Sequence, residues 1–316
     1  MLKVVDNGGG VEAERAWLLG HKEEAPLSWD KLGALCDVAG STLSLFAGAK
    51  YGGDNDKIAA KVRAYRERLA VQAQIGREAP AVPEWYETET SRRLMQLLRW
   101  AQSGKIVLIV TTPGIGKTKV AERMAERDPN VWLATMAPST AGVATMAIEV
   151  GAAIGLGDIK GSPQQLSRQI RAQIQGRNGL LIIDEAQELT DKAINEIRGW
   201  HDRTKVGVAL LGNEKVVGQL DSRKSALAQV SSRFSIKHVQ AQPLEGDMEA
   251  LLDAWSIRDA DQRAFLGRIG ALPGALREVT QTLEVAMMAA FGGDQPLSID
   301  HLRAAARQRN VKIGGL

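Results

Sequence analysis

One stretch, Val107–Thr118 (VLIVTTPGIGKT), limits what this chain can become. It opens with four apolar residues, Val107 to Val110, three of them β-branched, which predicts a short buried strand. A loop containing Pro113, Gly114 and Gly116 follows and ends in Lys117 and Thr118. Beyond it, KVAERMAERD has helical spacing, with Val120 and Met124 on one face beside Ala121 and Ala125. Strand, Gly-rich loop, Lys-Thr and helix form a phosphate-cradling P-loop. Backbone N–H groups of the loop and first helical turn point at one spot, and the helix dipole favours an anion there. The two glycines let the backbone approach phosphates closely. Lys117 supplies charge for the β- and γ-phosphates, and the Thr118 hydroxyl suits Mg2+. The candidate cradle is therefore Thr112, Pro113, Gly114, Ile115, Gly116, Lys117, Thr118 and Lys119. The motif's usual first glycine is Thr111 here, while the glycines nearest the lysine are kept.

A second motif fixes the partner of the first. Gly179–Glu188 (GLLIIDEAQE) carries a continuous apolar run, Leu180–Ile183, as expected of a central parallel strand covered on both faces. Asp184 and Glu185 sit where that strand leaves the sheet, the end at which open α/β sheets bind ligands. Asp184 is the candidate to hold Mg2+ through a water, together with Thr118, and Glu185 the candidate general base for an attacking water. Val206–Asn213 (VGVALLGN) predicts another buried strand, whose Asn213 can reach a γ-phosphate or the attacking water. Arg233 precedes a further strand, SIKHVQ.

The remaining chain reads as mostly helical. Val11–Leu19, a segment begun by Ser28 (WDKLGALCDVAG), a short one begun by Ser41, and one starting at Asp54 or Asn55 make an N-terminal group of helices. Helix, Gly turn, short helix and further helix resemble a helix-turn-helix domain, with Ser41, Thr42, Ser44 and Lys50 towards DNA. The basic run Lys57, Lys61, Arg63, Arg66 and Arg68 is then available to phosphates, or forms a solvated face. GREAPAVPE, with two prolines, reads as a linker. On the helix from about Thr90 to Gln102, Arg92, Arg93 and Trp100 are candidates to lie near a nucleotide base, with core packing an equal explanation of the aromatic–aliphatic pattern there. After NVWLAT, a strand, Ser139 and Thr140 read as a helix start. Lys160, Arg168 and Arg171 form a candidate phosphate-contacting patch, with Thr140 as a further DNA-binding candidate. From Pro243 the chain reads as wholly helical, ending in a basic tail of Arg303, Arg307, Arg309 and Lys312, expected to be exposed and open to docking.

Composition narrows the class further. A net charge of +3 permits nucleic-acid binding without requiring it. The single cysteine, Cys36, allows no internal disulfide, which fits a reducing, cytoplasmic setting. No apolar stretch is long enough to predict a membrane span.

GIGKT, IIDE, LLGN, SSRF and PGALR in this order resemble an AAA+ ATPase over about residues 88–316. The resemblance implies an α/β fold, an αβα nucleotide-binding domain with a C-terminal α-helical lid, and ATP and Mg2+ as cofactors. By it, Asn213 is the first sensor, Arg277 the second sensor on the lid, and Arg233 a finger acting on a neighbour's nucleotide, with Arg223 the weaker candidate. The expected division is 1–75 helix-turn-helix-like domain, 76–87 linker, 88–242 AAA+ core and 243–316 helical lid. The whole chain is similar to the B transposition proteins of Mu-like phages. That similarity implies ATP hydrolysis, homo-oligomeric helical filaments on double-stranded DNA with little sequence preference, choice of target DNA, and activation of a cognate transposase. A helicase loader or replication initiator is the alternative; secretion-system assembly ATPases differ in carrying a membrane span.

Overall fold

The computed structural model describes residues 10–25, 27–78, 82–216, 231–293 and 295–312. The chain divides into two compact units, Met1–Pro80 and Ala81–Leu316.

The first unit contains α1 (Val11–Glu24), α2 (Trp29–Cys36), α3 (Gly40–Ala47) and α4 (Asn55–Glu78). The Ser28 hydroxyl caps α2 by accepting from the Lys31 N–H. α2 and α3 approach closely because Gly33 and Gly40 lack side chains: a Cβ on Gly33 would lie 2.5 Å from the Val38 carbonyl oxygen. Leu18, Leu32, Leu43, Phe46, Ile58 and Val62 fill the core. α1 runs past Leu19 to Glu24, and α4 continues to Glu78, into the segment read as linker. The basic run on α4 is largely spent inside the unit. Arg63 and Arg66 both pair with the buried Glu14, at 3.1 and 3.2 Å. Lys61 pairs with Asp37 at 2.8 Å, and Arg68 donates to the Leu35 carbonyl. A buried carboxylate needs such partners, so Arg63 and Arg66 are structural, whereas the Lys61 and Arg68 contacts lie at the surface and Lys57 is exposed.

The second unit is built on a parallel five-stranded sheet, ordered β2-β3-β4-β1-β5. Its strands are β1 (Ile106–Thr111), β2 (Val131–Thr135), β3 (Leu180–Asp184), β4 (Gly207–Gly212) and β5 (Phe234–Gln240). Alternate residues of each central strand enter different cores. Leu108, Leu181 and Leu210 pack beneath α7 (Val143–Ala153), α8 (Pro163–Ile174) and α9 (Asp191–Thr204). Ile109, Ile182 and Leu211 pack beneath α5 (Glu89–Gln102) and α6 (Lys117–Arg127). Two-sided cover is why these strands read as unbroken apolar runs rather than alternating ones. Ser139 and Thr140 do not start α7; they close a 3-10 turn, Pro138–Thr140, and α7 begins after Gly142.

α10 (Asp247–Ala254), α11 (Ala260–Gly270), α12 (Ala275–Gly292) and α13 (Ile299–Gln308) enclose a separate apolar core, with Leu251, Phe265, Leu266, Val279, Leu283 and Leu302 at its centre. The basic tail is not a free appendage. Leu302, Ala305 and Ala306 of α13 are buried, and Arg309 pairs with Glu278 at 3.0 Å while donating to Thr282 at 2.7 Å. Among the described residues no helix is long and apolar enough to cross a membrane, and no group of three or more His, Cys, Asp or Glu side chains is arranged to hold a metal ion.

Candidate functional site

β1 delivers the chain to the site and α6 carries it away. Thr111 is the last residue of β1, buried and extended, so the backbone at the position usually held by glycine needs no glycine here, although the buried Thr111 hydroxyl finds no hydrogen-bond partner. The demanding positions are Gly114 and Gly116, at φ 90° and 100°. Gly116 is the N-cap of α6 and supplies no side-chain cap, so the first N–H groups of the helix are left for an anion. Thr112 ties the loop to the end of β5: its N–H donates to the Gln240 carbonyl and its hydroxyl to the Ala241 carbonyl at 2.9 Å.

The loop meets the end of β3. The Lys117 ammonium lies 3.2 Å from Asp184 Oδ1 and 3.8 Å from Glu185 Oε1. The Thr118 hydroxyl donates to Asp184 Oδ2 at 2.6 Å. Asp184 is buried, and Glu185 stands at φ 55°, a left-handed conformation uncommon for a residue with a side chain. Its N–H donates to Asp184 Oδ1 at 2.9 Å. A hydroxyl and a carboxylate oxygen this close are hard donors that fit Mg2+, which binds through one or two such groups and keeps several waters. A nearby ammonium and an uncapped helix start fit the phosphates of a nucleotide.

A cavity of about 610 Å3 opens over this cluster. Thr112 to Lys119 line it, with Glu185, Asn213 and Arg277, so candidates from both sheet and lid meet at one place. The lid lies directly on the loop: a Cβ built on Gly114 would fall 1.9 Å from the Gly274 carbonyl oxygen and 3.1 Å from Arg277 Cβ. Arg233 stands outside this cavity, exposed and 3.4 Å from Asp202 of α9. Arg223 lies outside the described residues.

Arg92, Arg93 and Trp100 do not line the cavity. Arg92 pairs with Glu87 at 3.4 Å, and the Trp100 indole donates to Ser235. The lining outside the phosphate loop comes instead from Val82, Pro83, Glu84, Trp85 and Tyr86 ahead of α5, and from Trp255, Leu276 and Thr280 of the lid. The adjacent Trp85-Tyr86 pair after the proline-rich stretch was the available signal; the lid residues had none. In the patch read as phosphate-contacting, Lys160 and Arg168 are exposed, but Arg171 turns back to the Ser167 carbonyl of its own helix. The Thr140 hydroxyl is engaged with the Ala137 N–H at 2.8 Å.

Sheet order, phosphate loop and helical lid define the class, an AAA-type nucleotide-binding domain; residues 87–220 match the AAA domain family. The fold is shared with the Drosophila ORC bound to DNA (TM-score 0.54, 13% identity, 73% of this chain and 63% of that one) and with the Aeropyrum pernix ORC2 protein (TM-score 0.53, 17% identity, 69% and 66%). This chain spans less than two thirds of each of those structures. Residues 232–308 match the family described as Mu B transposition protein, C terminal. Similarity runs nearly end to end with the ATP-dependent target DNA activator B of Escherichia phage Mu, 29% identical over 302 residues, 95% of this chain and 96% of that protein. The Mu-like prophage FluMu DNA transposition protein B of Haemophilus influenzae is 31% identical over 267 residues, 83% of this chain and 92% of that protein. The chain belongs to the Mu B transposition protein family.

Proposed function

We propose that this chain is an ATPase that acts as an ATP-dependent target-DNA activator in DNA transposition. One observation carries the chemistry: Lys117, Thr118, Asp184 and Glu185 converge at the carboxyl ends of β1 and β3, under a lid that brings Arg277 to the same cavity. Near end-to-end similarity to target DNA activator B supports the biological role.

In this reading the loop N–H groups and Lys117 bind the phosphates, and Arg277 adds charge from the lid side. Thr118 and Asp184 would hold Mg2+, which supplies neutralisation of the charge on the phosphate oxygens. Glu185 accepts a proton from water as the water oxygen bonds to the γ-phosphorus and the bond to the leaving ADP oxygen breaks. Asn213, at the end of β4, senses the terminal phosphate. Arg233, outside its own cavity, is suited to complete the site of a second copy, so hydrolysis depends on self-assembly, read as a helical filament on duplex DNA. Lys160 and Arg168, both exposed, together with Arg171 on the same helix as Arg168 and with Thr140, are the proposed contacts to DNA of any sequence, and α2–α3 is a candidate helix-turn-helix.

Lys117→Ala is expected to abolish ATP binding and Glu185→Gln to keep binding but stop hydrolysis, measured as nucleotide affinity and phosphate release with duplex DNA. Adding the cognate transposase is expected to stimulate hydrolysis and release the protein from DNA. Hydrolysis by Glu185→Gln at the unaltered rate would overturn the catalytic reading; indifference to transposase alongside a response to a replicative helicase would replace it with a loader.

A further inference from the structure

Gln187 sits two residues beyond Glu185, in the short 3-10 turn Ala186–Glu188. Its amide has two ends, and they address different groups. The Nε2 end donates to Glu185 Oε2. The Oε1 end accepts from the Asn213 N–H at 3.3 Å. One side chain thus joins the carboxylate at the end of β3 to the backbone at the end of β4. Room for it is made by Gly212, where a Cβ would fall 3.1 Å from Gln187 Oε1 and 2.4 Å from Val216 Cγ2. Glu185 has little else to hold it: its backbone is left-handed and its other oxygen is 3.8 Å from Lys117.

We propose that Gln187 is a positioning residue, an amide link that sets the aim of the Glu185 carboxylate and couples it to the Asn213 end of β4. The inference rests on the ATPase reading above. An amide does this without carrying charge, because it donates to a carboxylate at one end while accepting an N–H at the other. A shift of Asn213 towards a terminal phosphate moves the N–H donor that anchors that link and re-aims Glu185, so base and phosphate are matched before water is deprotonated.

The test uses the full chain with duplex DNA and ATP. Gln187→Ala is expected to lower kcat on the order of 10^2-fold, the loss typical of a misaimed catalytic group, with ATP affinity unchanged. Gln187→Glu keeps the acceptor for Asn213 but loses the donor and sets a second carboxylate against Glu185. Glutamate has the same shape as glutamine, so a purely space-filling side chain would be replaced by it without loss; loss of the amide donor is expected to lower its kcat as far as in Gln187→Ala, with ATP affinity unchanged. Unchanged kcat in either variant overturns the proposal, while an inactive Glu185→Gln leaves the ATPase reading standing. A fully active Glu185→Gln overturns both.

Discussion

At the scale of single residues, the site is decided by which positions tolerate a side chain. Gly114 does not: it has φ 90° and its would-be Cβ overlaps the Gly274 carbonyl. Gly114→Ala is therefore expected to push the lid turn off the loop and weaken ATP binding, read by nucleotide titration against an unaltered first unit. Cys36 offers an independent check on that unit. Burial pushes its thiol up to about 11, with Arg68 only partly opposing this. A thiol reagent at about pH 8 is expected to leave Cys36 untouched in the folded protein and to react fully after unfolding in guanidinium, since the thiolate is the reactive species. Lys117, Thr118, Asp184 and Glu185 were legible in sequence because each site half is contiguous and flanked by apolar strands. Arg92, Arg93 and Trp100 were misread because periodicity reports which face of α5 is apolar, where Leu94 and Leu98 point inward, but not what lies opposite the other face.

Between elements, a buried polar cluster ties lid to core. Asp247, at the start of α10, accepts from the Thr90 N–H at 3.0 Å, the Thr90 hydroxyl and the Leu244 N–H at 2.8 Å. Gln240 of β5 donates to the same Thr90 hydroxyl, and His238 contacts Gln240 at 3.2 Å. Asp247→Ala leaves buried donors unpaired and is expected to lower stability by on the order of 3 kcal/mol, measured by denaturant unfolding. Burial, helped by Arg93 and opposed by the Gln240 contact, holds His238 below its ordinary value of 6.5. The unfolded chain therefore binds more protons there, and stability is lost as pH falls below about 6.5. His238→Gln is expected to flatten that part of the stability–pH curve. None of this cluster was visible in sequence. Its members come from α5, β5 and α10, and polar residues so far apart carry no pattern until the fold assembles them.

For the whole chain, the two units set different expectations. Within the basic run of α4, Arg63 and Arg66 are held by the buried Glu14 while Lys61 and Arg68 make surface contacts to Asp37 and the Leu35 carbonyl, so the first unit presents less free positive charge than its composition suggests. If DNA is held by exposed cations such as Lys160 and Arg168, log affinity should fall against log salt with a slope of about −0.9 per phosphate contact, and charge-removing changes at both should flatten it. Ending the chain after Asp300 removes Leu302, Ala305 and Ala306 from the lid core. Such a truncation is expected to unfold the lid and impair ATP binding, which circular dichroism and nucleotide titration together would detect. Arg303, Arg307 and Lys312 are exposed as the sequence led one to expect, but Arg309 is bound to Glu278 and Thr282 and the apolar side of the helix is core, which charge near a terminus does not reveal.

The contact between Gly114 and Gly274 also bears on how such a chain can change over generations. Two backbones touch there with no side chain on either partner, and both glycines hold positive φ. Most core contacts can drift, because an enlargement on one side is answered by a reduction on the other. Here no smaller residue exists to answer with. A side chain at Gly114 must be absorbed by moving the lid turn itself, whereas one at Gly274 meets the Glu278 side chain and the strain of its own positive φ, so it is the loop side of this joint that is closed to compensated exchange.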